Sequence, residues 1–208
     1  MAKEKRETLS TPKAPCKWPW LKKPNTRWKE EGEYSVQLVF DPDDPFIAKI
    51  QAMAEEGFEE IKAGMKPAKA KKAELVLPFT PEEDEEGEDT GNVLVNFKMY
   101  AQRIDQKTGK VVKMKPRIFD SANKMMKFCP NIGNGSVLNV NCTPIPTLVK
   151  GKVYLSFWMN AVRINELVEF APDGSSMFGE GGDGYDSDEF DNPGTVDAED
   201  DLEDNEEF

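Results

Sequence analysis

The chain has 208 residues, 38% of them hydrophobic and 32% charged, with 27 Lys or Arg against 39 Asp or Glu and a formal net charge of −12. That length and apolar content support one core with polar flanks rather than two full domains. The absence of histidine removes the usual general base and most metal-ligand sets, so neither an enzyme nor a cofactor is expected.

The acidity is not evenly spread. No Lys or Arg follows Arg163, and residues 172–208 carry fifteen Asp or Glu, leaving 27 basic against 24 acidic residues before them. The run "EEDEEGED" at 82–89, read as a solvated loop, takes seven more acids out of the body. A basic domain carrying an acidic tail is the expectation, and a basic surface is what binding to phosphates requires.

The first thirty residues hold nine Lys or Arg, four Pro and three Trp. Proline fixes φ and removes donors, so residues 1–32 are expected as an extended arm whose Trp18, Trp20 and Trp28 clasp the barrel edge or stack on bases. "YSVQLVF" (34–40) alternates with the period of a half-buried strand. Asp44 can cap and Pro45 can open a helix in which Ile47, Ile50, Ala54, Phe58 and Ile61 share a face, ending near Ala63. After the short "ELVLPF" and the acidic loop, "NVLVNFKMYAQRI" faces Val93, Val95, Phe97 and Met99 one way and Asn96, Lys98, Tyr100 and Gln102 the other.

"DQKTGK" is expected to turn into "KVVKMKPRIF", with Val112, Met114 and Ile118 inside and Lys113, Lys115 and Arg117 outside. "DSANKMMKF" reads as a short helix and "PNIGNGS" as a turn. In the final pair, Leu138, Val140 and Cys142 point inward from one strand. Val153, Leu155, Phe157, Met159 and Ala161 point inward from the other, leaving Lys152, Tyr154, Ser156, Trp158 and Asn160 outside. Roughly five alternating strands and one long helix predict a mainly β fold, an OB-type five-stranded Greek-key barrel over 33–171 with the helix as its cap. Residues 172–208 are expected to be a disordered tail.

Cys16, Cys129 and Cys142 are odd in number and widely spaced, so free thiols are expected. The N-terminus has no apolar core of a signal peptide and no stretch has the length to span a bilayer, which predicts a cytoplasmic protein without a membrane partner.

Rings interleaved with cations on outward faces suit unpaired nucleic acid, because every base has a π-face and phosphates follow positive charge. Lys98, Tyr100, Lys113, Lys115, Arg117, Lys150, Lys152, Tyr154 and Trp158 are therefore the candidate single-strand-binding residues. No phosphate-loop pattern occurs, and "DGYDSDEFD" lacks the spacing of a calcium loop.

The runs "YSVQLVFDPDDPFIAKIQAM", "IFDSANKMM", "PNIGNGSVLNV" and the terminal "EDDLEDNEEF" resemble the single-stranded DNA-binding proteins of T7-like bacteriophages. The resemblance implies an OB fold, work in DNA replication and recombination within the host cytoplasm, a homodimer, and a C-terminal tail that contacts replication proteins such as the DNA polymerase and primase-helicase. Asp200, Asp201, Glu203, Asp204, Glu206, Glu207 and Phe208 are then the expected partner-binding residues, with the terminal ring entering a pocket. The tail can also compete with DNA for the basic groove. Two alternatives stand beside this reading: an acidic interaction protein or DNA mimic that occupies a basic partner, and a nuclease or recombination enzyme, which would require magnesium-dependent strand cleavage.

Overall fold

The structure is a computed structural model, described here for residues 7–27, 29–105 and 107–170. The chain divides into units 1–172 and 173–208. The expected tail with its partner-binding residues and Phe208 lies outside the described residues, as does Trp28 of the arm.

In chain order the elements are β1 (Leu9–Ser10), β2 (Ala14–Asn25), β3 (Glu33–Phe40), α1 (Pro45–Ala63), α2 (Pro67–Ala70), β4 (Glu74–Val76), β5 (Thr80–Glu83), β6 (Asp89–Tyr100), β7 (Gln102–Ile104), β8 (Val111–Lys113), β9 (Arg117–Phe119), β10 (Val137–Val149) and β11 (Lys152–Glu166). The fold is mainly β. Five long strands pair in a closed circuit: β2 with β3, β3 with β6, β6 beside β11, β11 with β10, and β10 back to β2 through Val137↔Pro15 and Leu138↔Ala14. Only the β6–β11 contact is parallel within that circuit. β1 extends the edge of β10, β5 lies beside β6, β4 and β9 run parallel to β11, and β7–β8 form a separate hairpin.

Period-2 patterning explains why these segments close on one another. Val36, Leu38 and Phe40 of β3, Val95 and Phe97 of β6, Leu138, Val140 and Cys142 of β10 and Val153, Leu155, Phe157 and Met159 of β11 are all buried. Their intervening residues stay on the outer wall. Cys16, Cys129 and Cys142 are unpaired thiols, and burial pushes Cys16 up to about 11 and Cys142 to about 12.

Helix α1 begins where its cap dictates. The Asp44 carboxylate accepts the Phe46 N–H at 2.7 Å and proline opens the first turn. Phe46, Ile47, Ile50, Ala54 and Gly57 are buried, while Phe58 and Ile61, expected on the same face, are half-buried. Gly57 is required by a close approach, since a Cβ there would sit 2.8 Å from Cβ of Pro146 on β10. No helix among the described residues is long and apolar enough to cross a membrane.

Several expectations need correction. The segment expected as an arm is a strand of the closed circuit, so the sheet begins well before residue 33. β2 buries Ala14, Cys16 and Leu21, and its prolines are tolerated because Pro19 and Pro24 fall in the two gaps of its register with β3. Trp18 and Trp20 do not clasp the edge, being 64% and 45% exposed.

Residues 120–128 form a turn rather than a helix. Asn123 has φ 62, and the Asp120 carboxylate accepts the Lys124 N–H, a local bond that competes with helix. Glu82 is buried rather than solvated. Ala161 does not continue the inward series of β11: a register shift opposite Asn141/Cys142 leaves Asn160 and Ala161 both outside and turns Val162 and Ile164 inward. Of the residues placed inside the "KVVKMKPRIF" strand, Ile118 is buried, whereas Val112 and Met114 are half-buried because β7–β8 projects from the ring.

Candidate nucleic-acid interface

One register row crosses the outer wall with a residue from each strand of the circuit: Trp20, Ser35, Lys98, Trp158 and Thr143. Its centre is aromatic and cationic. The Tyr100 and Trp158 rings lie 4.7 Å apart at 60°, Lys98 Nζ lies 5.7 Å from the Trp158 centroid, and Lys29 Nζ lies 4.6 Å from the Tyr100 centroid. A tilted pair braces each ring while leaving area of Tyr100 open to solvent. Lys29 also pairs with Glu33 at 2.9 Å, and that hydrogen bond raises its pKa.

Trp18 and Trp20 enter through an irregularity. The β2–β3 register breaks between Lys17 and Trp20, Trp18 takes φ 51, and its N–H donates to Asn134 Oδ1 at 2.8 Å. A bulky residue with positive φ is an outlier that persists where its surroundings hold it. The break re-aims both indoles outward. Beyond Tyr100 the chain leaves β6 through the β7–β8 hairpin, and Lys29, Tyr100, Arg103, Ile104 and Val111 line part of an open cleft of about 580 Å³.

The expected binding residues separate into groups. Lys98, Tyr100 and Trp158 come together as described. Tyr154, 37% exposed, and Lys152 lie toward the start of β11, with Lys152 3.5 Å from Glu74. Lys150 and Gly151, with φ 51 and 88, form the two-residue turn between β10 and β11. Lys113 pairs with Gln102 on the hairpin, and Lys115 lies on its exit. Arg117 belongs to β9, opposite Ala161 near the far end of β11. Trp18 and Trp20, expected either to clasp the barrel edge or to stack on bases, are exposed on this side, whereas Lys29 had no expected role, although the interleaving of Trp with Lys and Arg in the first thirty residues carried the signal.

Lys17 is engaged differently. Its Nζ lies 2.6 Å from Glu82 Oε1, while Thr90 and Asn92 donate to Glu82 Oε2 at 2.7 and 2.9 Å. The Lys17 hydrogen bond, assisted by Thr90 and Asn92 and opposed by burial, holds the Glu82 carboxyl down at about 2. This pair ties β2 to β5.

Among solved structures, the single-stranded DNA binding protein encoded by bacteriophage T7 is similar at 22% identity with a TM-score of 0.65, over 87% of this chain and 98% of that chain. The single-stranded DNA-binding protein of bacteriophage Enc34 in complex with ssDNA is similar at 14% identity with a TM-score of 0.51, over 78% of this chain and 88% of that one. A C-terminal truncation of the Enc34 protein gives the same identity and TM-score over 78% and 87%. No curated protein matches the chain. The profile of the family described as single-stranded DNA-binding protein, Bacteriophage T7, matches residues 12–157, more than two thirds of the 208 residues, and the chain belongs to that family.

Proposed function

We propose that the protein binds single-stranded DNA without sequence preference during phage replication, recombination and repair, protecting and annealing strands, and that its ring of strands is an OB barrel. The observation that carries this reading is the Tyr100–Trp158 pair with Lys98 and Lys29 over the two rings. Rings accept any base by stacking, and the ammonium groups accept phosphate, so neither element selects a sequence. Order and direction of the five strands, including the parallel third–fifth contact, support the OB assignment.

Trp18 and Trp20 extend the ring platform, and Tyr154, Lys150 and Lys152 extend it the other way. Lys113 and Lys115 on the hairpin side, with Arg117 on β9, supply further phosphate contacts. The acidic tail competes with DNA for these cations and, when displaced, presents Asp200 to Phe208 to the DNA polymerase and primase-helicase. Family membership and the fifteen acids of residues 172–208 support that part of the reading. A homodimer in the host cytoplasm completes it.

The test is a salt-titrated binding series with the full chain and a form ending at residue 171, on single strand, duplex and RNA. Tight single-strand binding, weak duplex binding and tighter binding after truncation are expected, the last most visible at low salt, where screening reaches about 30 Å at 0.01 M. Equal affinity for duplex and single strand would remove the stacking platform from the argument. Failure of both forms to bind any of these strands would favour the acidic-mimic alternative.

A further inference from the structure

Beyond the register shift of β11 the outer wall changes character. Ser10, Phe119, Asn123, Asn141, Ala161 and Arg163 contribute to a cavity of about 340 Å³. Its floor is low because Ala161, an outward residue only by virtue of the shift, stands between Arg117 of β9 and Asn141 of β10. Arg163 is immobilised by neutral oxygens: Nε and Nη2 donate to Asn139 Oδ1 at 3.2 and 2.7 Å, and Nη1 donates to Asn123 Oδ1 at 3.0 Å.

Among the described residues no carboxylate pairs with Arg163. A guanidinium has five N–H donors, so one on each Nη finds no acceptor among the described residues. Asp120, next to Phe119, is engaged in its own turn by the Lys124 N–H. A half-buried, preorganised cation without an anion is matched to phosphate, which guanidinium binds through paired donors. Phe119, opposite Arg163 in the β9–β11 register, supplies an apolar ring beside it.

We propose that this cavity takes one phosphate-linked nucleotide of the bound single strand, with the phosphate on Arg163, the base against Phe119 and Ala161 as the floor. The inference rests on the single-strand reading above and deepens it. Trp158 and Arg163 lie on the same strand roughly 15 Å apart, a span that a few nucleotides of a strand stacked at the first can bridge. Arg117, which the structure separates from the Trp158 platform, pairs in register with Ala161 of this cavity. The amide network around Asn139 and Asn141 also fastens β1 to β10, through Asn139 to the Thr11 carbonyl and Asn141 to Ser10. The experiment therefore has to tell a binding site from a fastening.

Arg163→Gln keeps an amide in the network and removes the charge, whereas Ala161→Leu fills the floor and leaves every hydrogen bond in place. Both, with Trp158→Ala as the platform control, are titrated with an oligo(dT) strand over a salt series in the full chain, alongside thermal melting. Arg163→Gln is expected to weaken binding roughly tenfold and to lower the slope of log affinity against log salt by about 0.7. Ala161→Leu is expected to weaken binding severalfold without lowering Tm.

Anything short of loss in both overturns the proposal. If both bind as wild type while Trp158→Ala is weakened, the network is only a fastening and the single-strand reading survives. Loss in Arg163→Gln alone leaves a plain phosphate contact without a nucleotide pocket. Should Arg163→Gln prove unfolded, Ala161→Leu decides alone. A wild-type chain that binds no strand overturns both readings together.

Discussion

Two ring pairs join β6 to β11 from opposite sides of the same wall. Phe97 and Phe157 meet inside, with centroids 5.5 Å apart and exposures of 0% and 1%, and Tyr100 and Trp158 meet outside at 4.7 Å, with Tyr100 41% exposed. Residues 157 and 158 are adjacent in the chain, and both pairs are tilted, at 37° inside and 60° outside. Their difference is what surrounds them. Aliphatic side chains from the whole circuit cover the inner pair, whereas two lysines and solvent face the outer one, so the same interaction closes a core in one place and leaves a surface for ligand in the other.

The sharpest test of that contrast is Phe157→Ala against Trp158→Ala. Removing the inner ring should cost roughly 3–5 kcal/mol of folding stability, read by urea denaturation, because a cavity remains in a packed wall. Equal destabilisation by Trp158→Ala would erase the distinction. Instead, Trp158→Ala should cost roughly 1–3 kcal/mol of single-strand affinity, the contribution of a lost stack, while a fluorescence titration of Phe157→Ala under conditions where it remains folded should show nearly unchanged binding.

Glu82 sharpens the comparison from another side, because it is a charged group that serves the fold. Its folded pKa of about 2 lies below the ordinary glutamate value of 4.5, so its contribution is complete above about pH 4.5 and lost as pH falls from there toward 2. Linkage puts the amount at roughly 1–3 kcal/mol. Denaturation profiles of wild type and Glu82→Gln should converge at the acidic end of that window and separate above it; parallel profiles would mean that Lys17 does not hold the carboxylate in solution. The smallest effect belongs to Lys98→Ala, which should lower the salt slope of binding by about 0.7 and leave Tm in place. A fall in Tm with an unchanged slope would make Lys98 a brace for Trp158 rather than a phosphate contact.

Much of this is legible in the sequence. Strict alternation in β3 and the alternation around Val95 and Phe97 in β6 named the inner face, and Asp44 with Pro45 marked the start of α1. Lys98, Tyr100 and Trp158 were recognisable as outward because their neighbours are apolar at period 2. The role of β2 was hidden by its prolines, whose tolerance depends on where a partner strand leaves gaps. Glu82 sat in a run of seven acids and could not be told from its neighbours until Lys17 of a distant strand was brought to it.

By itself, then, the sequence determined the local conformations and the sidedness of each long strand, since both depend on neighbours within a few residues. Tertiary structure alone decided which outward residues share a surface. Lys98 and Trp158 are sixty residues apart in the chain yet adjacent in register, while Arg117 was taken from its expected place by the projecting hairpin and set opposite Ala161. The register shift at Asn160 and Ala161 decided that Ala161 faces outward and lines the cavity beside Arg163. Such a shift is set by pairing between strands, and one residue of slip exchanges the faces of everything after it.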